Sequence, residues 1–338
     1  MEEKKKNAYC ENCADTEEYM LKKEPFEKII RDKTYDFMIT KAFCRKCGNE
    51  VFPNFIFDLN VKEVDEQYRK FEKIITLKEI EALMSIYNIG KTPLSLTLGF
   101  GEITINRYFN GQVPSKEYSD IMYKALYNLD FMSDCLKKNH LKIGETAYKK
   151  AINAIQNQKT MLSSVSEKLL MVIAYIFSFN TDVTPLALQK LLYYIQSIYK
   201  YLHNIDLFNE PCEAWVHGPV YRSVYNMFRD FKYNPIEDNR FYLIKCLITD
   251  LSDDEKNVIY LVMNSFGLYS GKVLESITHE ELPWRIAREG YMPDELSSKE
   301  IDRTDIDSYF KSVGEKYSLN SVEGIKKYIA DMLNDANK

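Results

Sequence analysis

Apolar side chains recur at helical spacing along most of this chain. Leu77, Ile80, Leu83, Met84 and Tyr87 form one stripe, at the i, i+3, i+6, i+7, i+10 positions of a helix with one buried face. Ile89-Gly90 ends that helix, and Thr92-Pro93 supplies an N-cap and a first-turn proline for a second, reaching about Leu98. Gly99-Phe100-Gly101 turns the chain into a third helix over Glu102–Phe109, closed by Asn110-Gly111. A fourth starts at Ser115, with Tyr118, Ile121, Met122, Ala125 and Leu126 on its apolar face. Further on, Leu169, Val172, Ile173 and Ile176 stripe another helix. Thr184-Pro185 opens a helix through Leu202, and Ser252-Asp253-Asp254-Glu255 is a capping box for one more. Residues 1–60 differ: Tyr35–Ile39 and Val51–Phe57 read as strands. Segment 141–163 is polar and helix-permissive and reads as a connector. The pattern predicts a mainly α protein with a small β-containing module at its start.

Composition refines this. The 338 residues (39.7 kDa) suggest two or three domains, and 45% hydrophobic with 28% charged residues is an ordinary globular balance. No apolar run is long enough to span a bilayer, and no apolar stretch follows the first lysines as a secretory signal requires. A cytoplasmic protein without membrane partners is expected. Charges balance over residues 1–143, so the net −5 comes from 144–338. A strongly basic nucleic-acid-binding chain is excluded as a global description, but a locally basic face is not.

Four of the seven cysteines form two CxxC pairs, Cys10/Cys13 and Cys44/Cys47. A CxxC turn places two thiolates on one side of a tetrahedral site, and two such knuckles close it. Buried hydrophobes or a redox pair are the plainer alternatives, but a module this short needs a metal staple to fold. The expectation is a structural zinc on Cys10, Cys13, Cys44 and Cys47 within a zinc ribbon, residues 1–60. Gly48 after the second knuckle allows the backbone turn, and Ala14 stands at the matching place after the first. Cys135, Cys212 and Cys246 read as plain core residues.

Two short helices joined by a glycine turn and flanked by others have helix-turn-helix geometry, which offers the second helix to a major groove. A five-helix-type DNA-binding domain is therefore expected over 70–140. Ile105 and Phe109 share the inner face, with Tyr108 beside them. Arg107 can bind guanine bidentately and Thr104 can contact a thymine methyl, with Asn106 and Glu102 also pointing outward. Lys91, Asn110 and Gln112 are placed for phosphates. The alternative is a solvated helical domain without nucleic acid.

Residues 161–315 read as a helical globule of six or seven helices, after a linker at 141–160 and before a C-terminal helix or tail at 316–338. His217, beside Gly218-Pro219, and His279, beside Glu280, invite an acid–base reading. No GxSxG, phosphate-cradling glycine loop or HExxH accompanies them. His217 is read as a turn residue at a helix start, held by a backbone hydrogen bond, and no enzymatic activity is expected. The aromatic series Tyr193, Tyr194, Trp215, Tyr221 and Tyr225 reads mainly as core, some of it available to a partner surface.

The succession CxxC, CxxCG, then LGFGEITINRYFNGQVP (98–114) resembles the MqsA-type antitoxin and transcription-regulator layout over about residues 1–140. That resemblance implies a zinc domain that helps hold a toxin and a dimeric helix-turn-helix that binds an operator. Its base-contacting arginine matches Arg107, whereas a base-reading asparagine of some members is replaced by Ile103. The C-terminal segments LQKLLYYIQSIYKYL (188–202), EAWVHGPVYRSVY (213–225), LSDDEKNVI (251–259), LESITHEELPWRIAR (274–288) and IDSYF (306–310) resemble, in order, the Panacea domain, also called SocA-like or GepA-like. This implies an antitoxin that neutralises a cognate toxin by direct binding and represses its own operon, as a homodimer on operator DNA. Implied toxin-side residues are Trp215, His217, Gly218, Pro219, Tyr221, Tyr225, Tyr193, Tyr194, His279 and Trp284. Rival readings are a stand-alone, phage-borne transcription regulator and, as with SocA itself, a proteolytic adaptor.

Overall fold

The computed structural model describes residues 7–30, 32–179 and 181–336, with side chains except at 246, 335 and 336, so the expectation for Cys246 falls outside the described residues. The protein is mainly helical, with a small antiparallel sheet near its N-terminus. It divides into two compact units, Met1–Glu81 with Glu102–Tyr123, and Ala82–Gly101 with Lys124–Lys338. No helix among the described residues is long and apolar enough to cross a membrane.

Strands β1 (Asn7–Cys10), β2 (Asp15–Ile30), β3 (Lys33–Cys44) and β4 (Glu50–Val51) pair antiparallel in that order. Sixteen helices follow among the described residues: α1 (Ile56–Phe71), α2 (Leu77–Ile86), α3 (Lys91–Thr97), α4 (Thr104–Phe109), α5 (Lys116–Tyr127), α6 (Leu129–Asn139), α7 (Glu145–Ser163), α8 (Glu167–Ile176), α9 (Pro185–His203), α10 (Arg222–Phe228), α11 (Phe241–Ile244), α12 (Asp253–Met263), α13 (Gly271–Glu280), α14 (Leu282–Ala287), α15 (Arg303–Lys316) and α16 (Val322–Ala336). A hairpin of β5 (Glu213–Trp215) and β6 (Gly218–Val220) lies between α9 and α10.

In the first unit, β2 and β3 form a long hairpin in register from Tyr19↔Cys44 to Ile30↔Lys33, and Asp32 takes the left-handed backbone (φ 63°) that tight hairpin turns use. Phe37 and Ile39 of β3 are buried with Tyr68 of α1 and Ile74. The outer edge of β3 is closed by α1: Gln67 accepts from the Met38 N–H (2.8 Å) and Glu63 from the Thr40 N–H (2.7 Å). Pro25, which pairs with Met38, has no N–H to offer at the matching position on β2, so that edge is also guarded. The strand expected over Val51–Phe57 stops at Val51, because Pro53 cannot continue the ladder and the Ile56 N–H turns back to the Pro53 carbonyl (2.9 Å) to start α1. Arg69 is buried: Nε donates to Asp65 (2.7 Å) and Nη1 to the Ile75 carbonyl (2.9 Å). The Ile75 N–H in turn donates to Ser119 Oγ (2.8 Å), fixing the exit from α1 against α5.

Two helix boundaries depart from expectation. Gly90, not Thr92, is the N-cap of α3, in an extended conformation after left-handed Asn88. Pro93 then sits at the third helical position, where its missing N–H is still one of the unpaired donors of the first turn. The helix expected from Glu102 begins at Thr104. The connector is a regular helix, α7.

In the second unit one hydrophobic core runs from Val165 to Ile329, with α9 at its centre. Thr184 caps α9 by accepting from the Ala187 N–H (3.2 Å), and left-handed Asn204 ends it. Ser252 and Glu255 form the expected capping box. Helix α16 belongs to this core through Ile325, Tyr328 and Ile329. Cys212 is buried as expected, whereas Cys135 is only half-buried.

Candidate functional site

The four N-terminal cysteines converge at the foot of the long hairpin. All four Sγ atoms lie within 4.8 Å of one another, with Cys10–Cys47 at 3.5 Å and Cys13–Cys44 at 4.0 Å. Four thiolates around a tetrahedral zinc at about 2.3 Å stand about 3.8 Å apart, so the donor set fits such an ion. At Cys47 the backbone favours the thiolate. A hydrogen bond from the Asn49 N–H lowers the Cys47 thiol to about 6, whereas burial raises Cys13 to about 12. Each knuckle ends in a left-handed residue, Ala14 (φ 52°) and Gly48 (φ 79°). These four cysteines could hold a metal ion.

The α4 segment places Ile105 and Tyr108 inside and leaves Arg107 and Glu102 exposed, with Thr104, Asn106 and Phe109 half-buried. Asn110 and Gln112 are exposed just beyond it, and Gly99 and Gly111 both take positive φ. Lys91 heads α3 in the other unit and is half-buried.

The C-terminal motif folds into the β5–β6 hairpin, which the helical reading of this block missed. Strand β5 is held on one side by β6 and on the other by residues 299–301: the Ala214 N–H donates to the Lys299 carbonyl and the Ile301 N–H to the Cys212 carbonyl, both at 2.8 Å. The free edge of β6 docks on two polar side chains of α9. Lys190 Nζ donates to the Pro219 carbonyl (3.0 Å), and Gln189 Oε1 accepts from the Tyr221 N–H (2.7 Å). Lys190 is fully buried, and burial pulls its amine down to about 7. Gly218 (φ 92°) is the residue that lets Lys190 in. A β-carbon there would stand 2.7 Å from Thr278 Oγ1 and 2.8 Å from Lys190 Cε.

Around this frame the charges are paired. Buried Glu213 accepts from Trp215 Nε1 (2.7 Å) and from Arg222 Nε (2.8 Å) and Nη2 (2.5 Å), and the guanidinium lies over the Trp215 ring. Burial would raise the Glu213 carboxyl, but these hydrogen bonds outweigh it and hold it below the ordinary range. His217, at the hairpin turn, is held by the Glu275 carboxylate rather than by backbone, with Nδ1 to Oε1 at 2.9 Å. Lys272 also binds Glu275 (2.9 Å), and against its burial the two partners keep Glu275 low. His279 stacks on Trp284 at 4.1 Å and 12°, and burial lowers its pKa. Trp284 Nε1 donates to the Trp215 carbonyl (2.9 Å). Buried Arg288 donates to the Ala214, Met292 and Glu295 carbonyls, tying the following loop to β5.

The expected partner-side residues therefore separate. His217, Trp215, Tyr225 and Trp284 reach or approach the surface around the hairpin, whereas Tyr193, Tyr194 and Tyr221 are closed to solvent and pack the core. Gln189, Lys190, Glu213, Glu275 and Arg288 escaped the sequence reading. The available signal was a lysine and a glutamine inside the apolar run LALQKLLYYI (186–195), where a solvated face would not be expected.

A second buried polar knot closes the unit. Glu281 is fully buried, and its Oε1 accepts from Tyr194 of α9 (2.9 Å) and Tyr328 of α16 (2.5 Å). Burial raises its carboxyl to about 7, against the tyrosine hydroxyls that favour ionisation. A folded-state value above the ordinary 4.5 means stability is highest below that pH and is lost as pH climbs through 7. Glu281→Gln is expected to flatten this loss between about pH 4.5 and 7, as read by thermal melting across that range. Parallel pH profiles for the variant and the original would contradict it.

No curated protein and no solved structure matches the chain. Residues 188–285, under a third of the chain and reaching from within α9 into α14, match one family, described as antitoxin SocA-like, Panacea domain.

Proposed function

We propose that this protein is the antitoxin of a type II toxin–antitoxin pair, which neutralises a cognate protein toxin by direct binding through its Panacea domain. It acts as a grip and not as a catalyst. The observation that carries this reading is the family match over 188–285, the segment that builds the β5–β6 hairpin and its supports. The surface that hairpin presents suits a protein partner: half-exposed Trp215, Tyr225 and Arg222 stand together over a buried carboxylate, the kind of amphipathic aromatics that dominate interface hot spots. Co-expression with the product of the adjacent gene tests it. Growth is rescued and the two proteins co-purify if the reading is right; a neighbour that is harmless alone, or that never co-purifies, overturns it.

The α3–turn–α4 segment is proposed to be a helix-turn-helix that represses the protein's own operon as a homodimer, with structural zinc on the four cysteines of the ribbon. Exposed Arg107 is its base reader. Arg107→Ala should cost roughly 1–3 kcal/mol on the cognate site and relax specificity there, measured by titrating labelled promoter DNA. Unchanged affinity would take α4 out of the groove.

A further inference from the structure

Helix α1 has its two ends in two different cores of the first unit. In its first turn, Ile56 is buried and Leu59 half-buried against Cys10 and Cys44. About three turns later, Tyr68 is buried with Phe37, Ile39 and Ile74. Val113 packs on that second core from just beyond α4, whose end is closed by the Gln112 N–H on the Arg107 carbonyl (3.0 Å). A helix of 16 residues, about 24 Å long, thus reaches from the cysteine cluster to the segment that carries Arg107.

Hydrogen bonds lock the far end. Arg69 is 1% exposed; Asp65, one turn back, accepts from its Nε (2.7 Å), and its Nη1 donates to the Ile75 carbonyl (2.9 Å). The Ile75 N–H donates in turn to Oγ of fully buried Ser119 in α5 (2.8 Å), and Lys116 Nζ to the Lys73 carbonyl (2.9 Å). Groups this deeply buried cannot exchange their bonds for water, so residues 73–75 have one low-energy seat between α1 and α5. The near end is less secure. A helix of this length is marginal by itself in water, and α1 leans on the hairpin through Gln67 and Glu63 as well as through its apolar face. Once the ribbon opens, α1 loses that support, and Arg69 loses its place with it.

We propose that α1 transmits the state of the cysteine cluster to α4, with Arg69 as the positioning residue: closing the ribbon on a metal ion fixes α4 and residues 110–113, and opening it releases them. The inference rests on the four cysteines holding a metal; the proposed reading of DNA by α4 makes it a control on repression but is not needed for the test. Amide hydrogen exchange of the full chain, before and after EDTA treatment, follows the ribbon, α4 and α9 in one experiment. Stripping the metal should speed exchange across residues 104–123 by about tenfold or more and leave α9 unchanged, and added zinc should reverse it. Arg69→Met should exchange fast over 104–123 with or without the metal, while still binding about one zinc per chain. Ser119→Ala, a gentler change that breaks the link from the other side, should do the same. Protection of 104–123 that survives EDTA, whether or not the ribbon opens, overturns the proposal. So does a Ser119→Ala variant that responds to EDTA as fully as the original chain. On labelled promoter DNA the same treatment should weaken binding by about tenfold. A protein that shows the exchange response and binds no promoter DNA at all supports the link and removes the operator reading alone.

Discussion

Stripping the metal, or replacing Cys44 by serine, is expected to unfold the ribbon while leaving the helices of the second unit intact. The reason is the size of the module around the cysteines. The core beside them consists of little more than Tyr19, Ala42, Val51 and Ile56. Such a core supplies far less than the cost of ordering the chain, so under the proposed zinc reading the ion contributes most of the folding free energy, about 10 kcal/mol or more for a four-thiolate zinc site. Elemental analysis of the purified protein should find about one zinc per chain. After chelation, limited proteolysis should cut within residues 7–55 while the far-ultraviolet helical signal persists. A protein that is metal-free as isolated and still resists proteolysis there would contradict the structural role.

Replacing Gly218 by alanine should destabilise the second unit by about 3 kcal/mol or more, the next largest effect foreseen. Two costs combine: a positive φ that side-chain-bearing residues avoid, and a β-carbon pressed against Lys190 and Thr278. The backbone cost cannot be relieved, but part of the steric one can. Adding Lys190→Ala to Gly218→Ala should therefore cost less than the two single changes summed, a coupling that denaturant melts of the four proteins would measure. Strict additivity would mean that Lys190 does not occupy that space. Lys190→Met, which keeps the volume but drops the hydrogen bond to the Pro219 carbonyl, should be milder than Lys190→Ala, because the buried amine is itself costly to desolvate.

Much of the helical framework was legible because local rules and tertiary packing agree there. Thr184-Pro185 and the Ser252/Glu255 box cap the helices they predict, and the two CxxC pairs come together as their spacing implies. Legibility failed where a residue's partner is remote in sequence. Strands of three residues carry almost no periodic signal, so β5 and β6 were hidden inside a helical reading; their stability comes from Lys190, Gln189, Arg288 and the 299–301 segment, none of them neighbours in the chain. His217 does sit at a turn, but at that of the β5–β6 hairpin rather than at a helix start, and its anchor is Glu275, 58 residues away. Tyr193, Tyr194 and Tyr221 belong to an aromatic series read mainly as core with some of it open to a partner surface, and their burial assigns these three to the core. The α3 boundary shows a smaller failure: Thr92-Pro93 has the right residue types, but left-handed Asn88 moves the start of the helix two residues earlier.

The way Tyr328 meets Glu281 and Tyr194 has a consequence for biosynthesis. Tyr194 lies in α9, Glu281 at the junction of α13 and α14 and Tyr328 in α16, so on the ribosome this core cannot close until residue 329 has cleared the exit tunnel. The cluster of four cysteines, all made by residue 47, is free to assemble long before that. In a nascent chain the cysteine cluster would thus be complete well before the partners of buried Glu281 are all present.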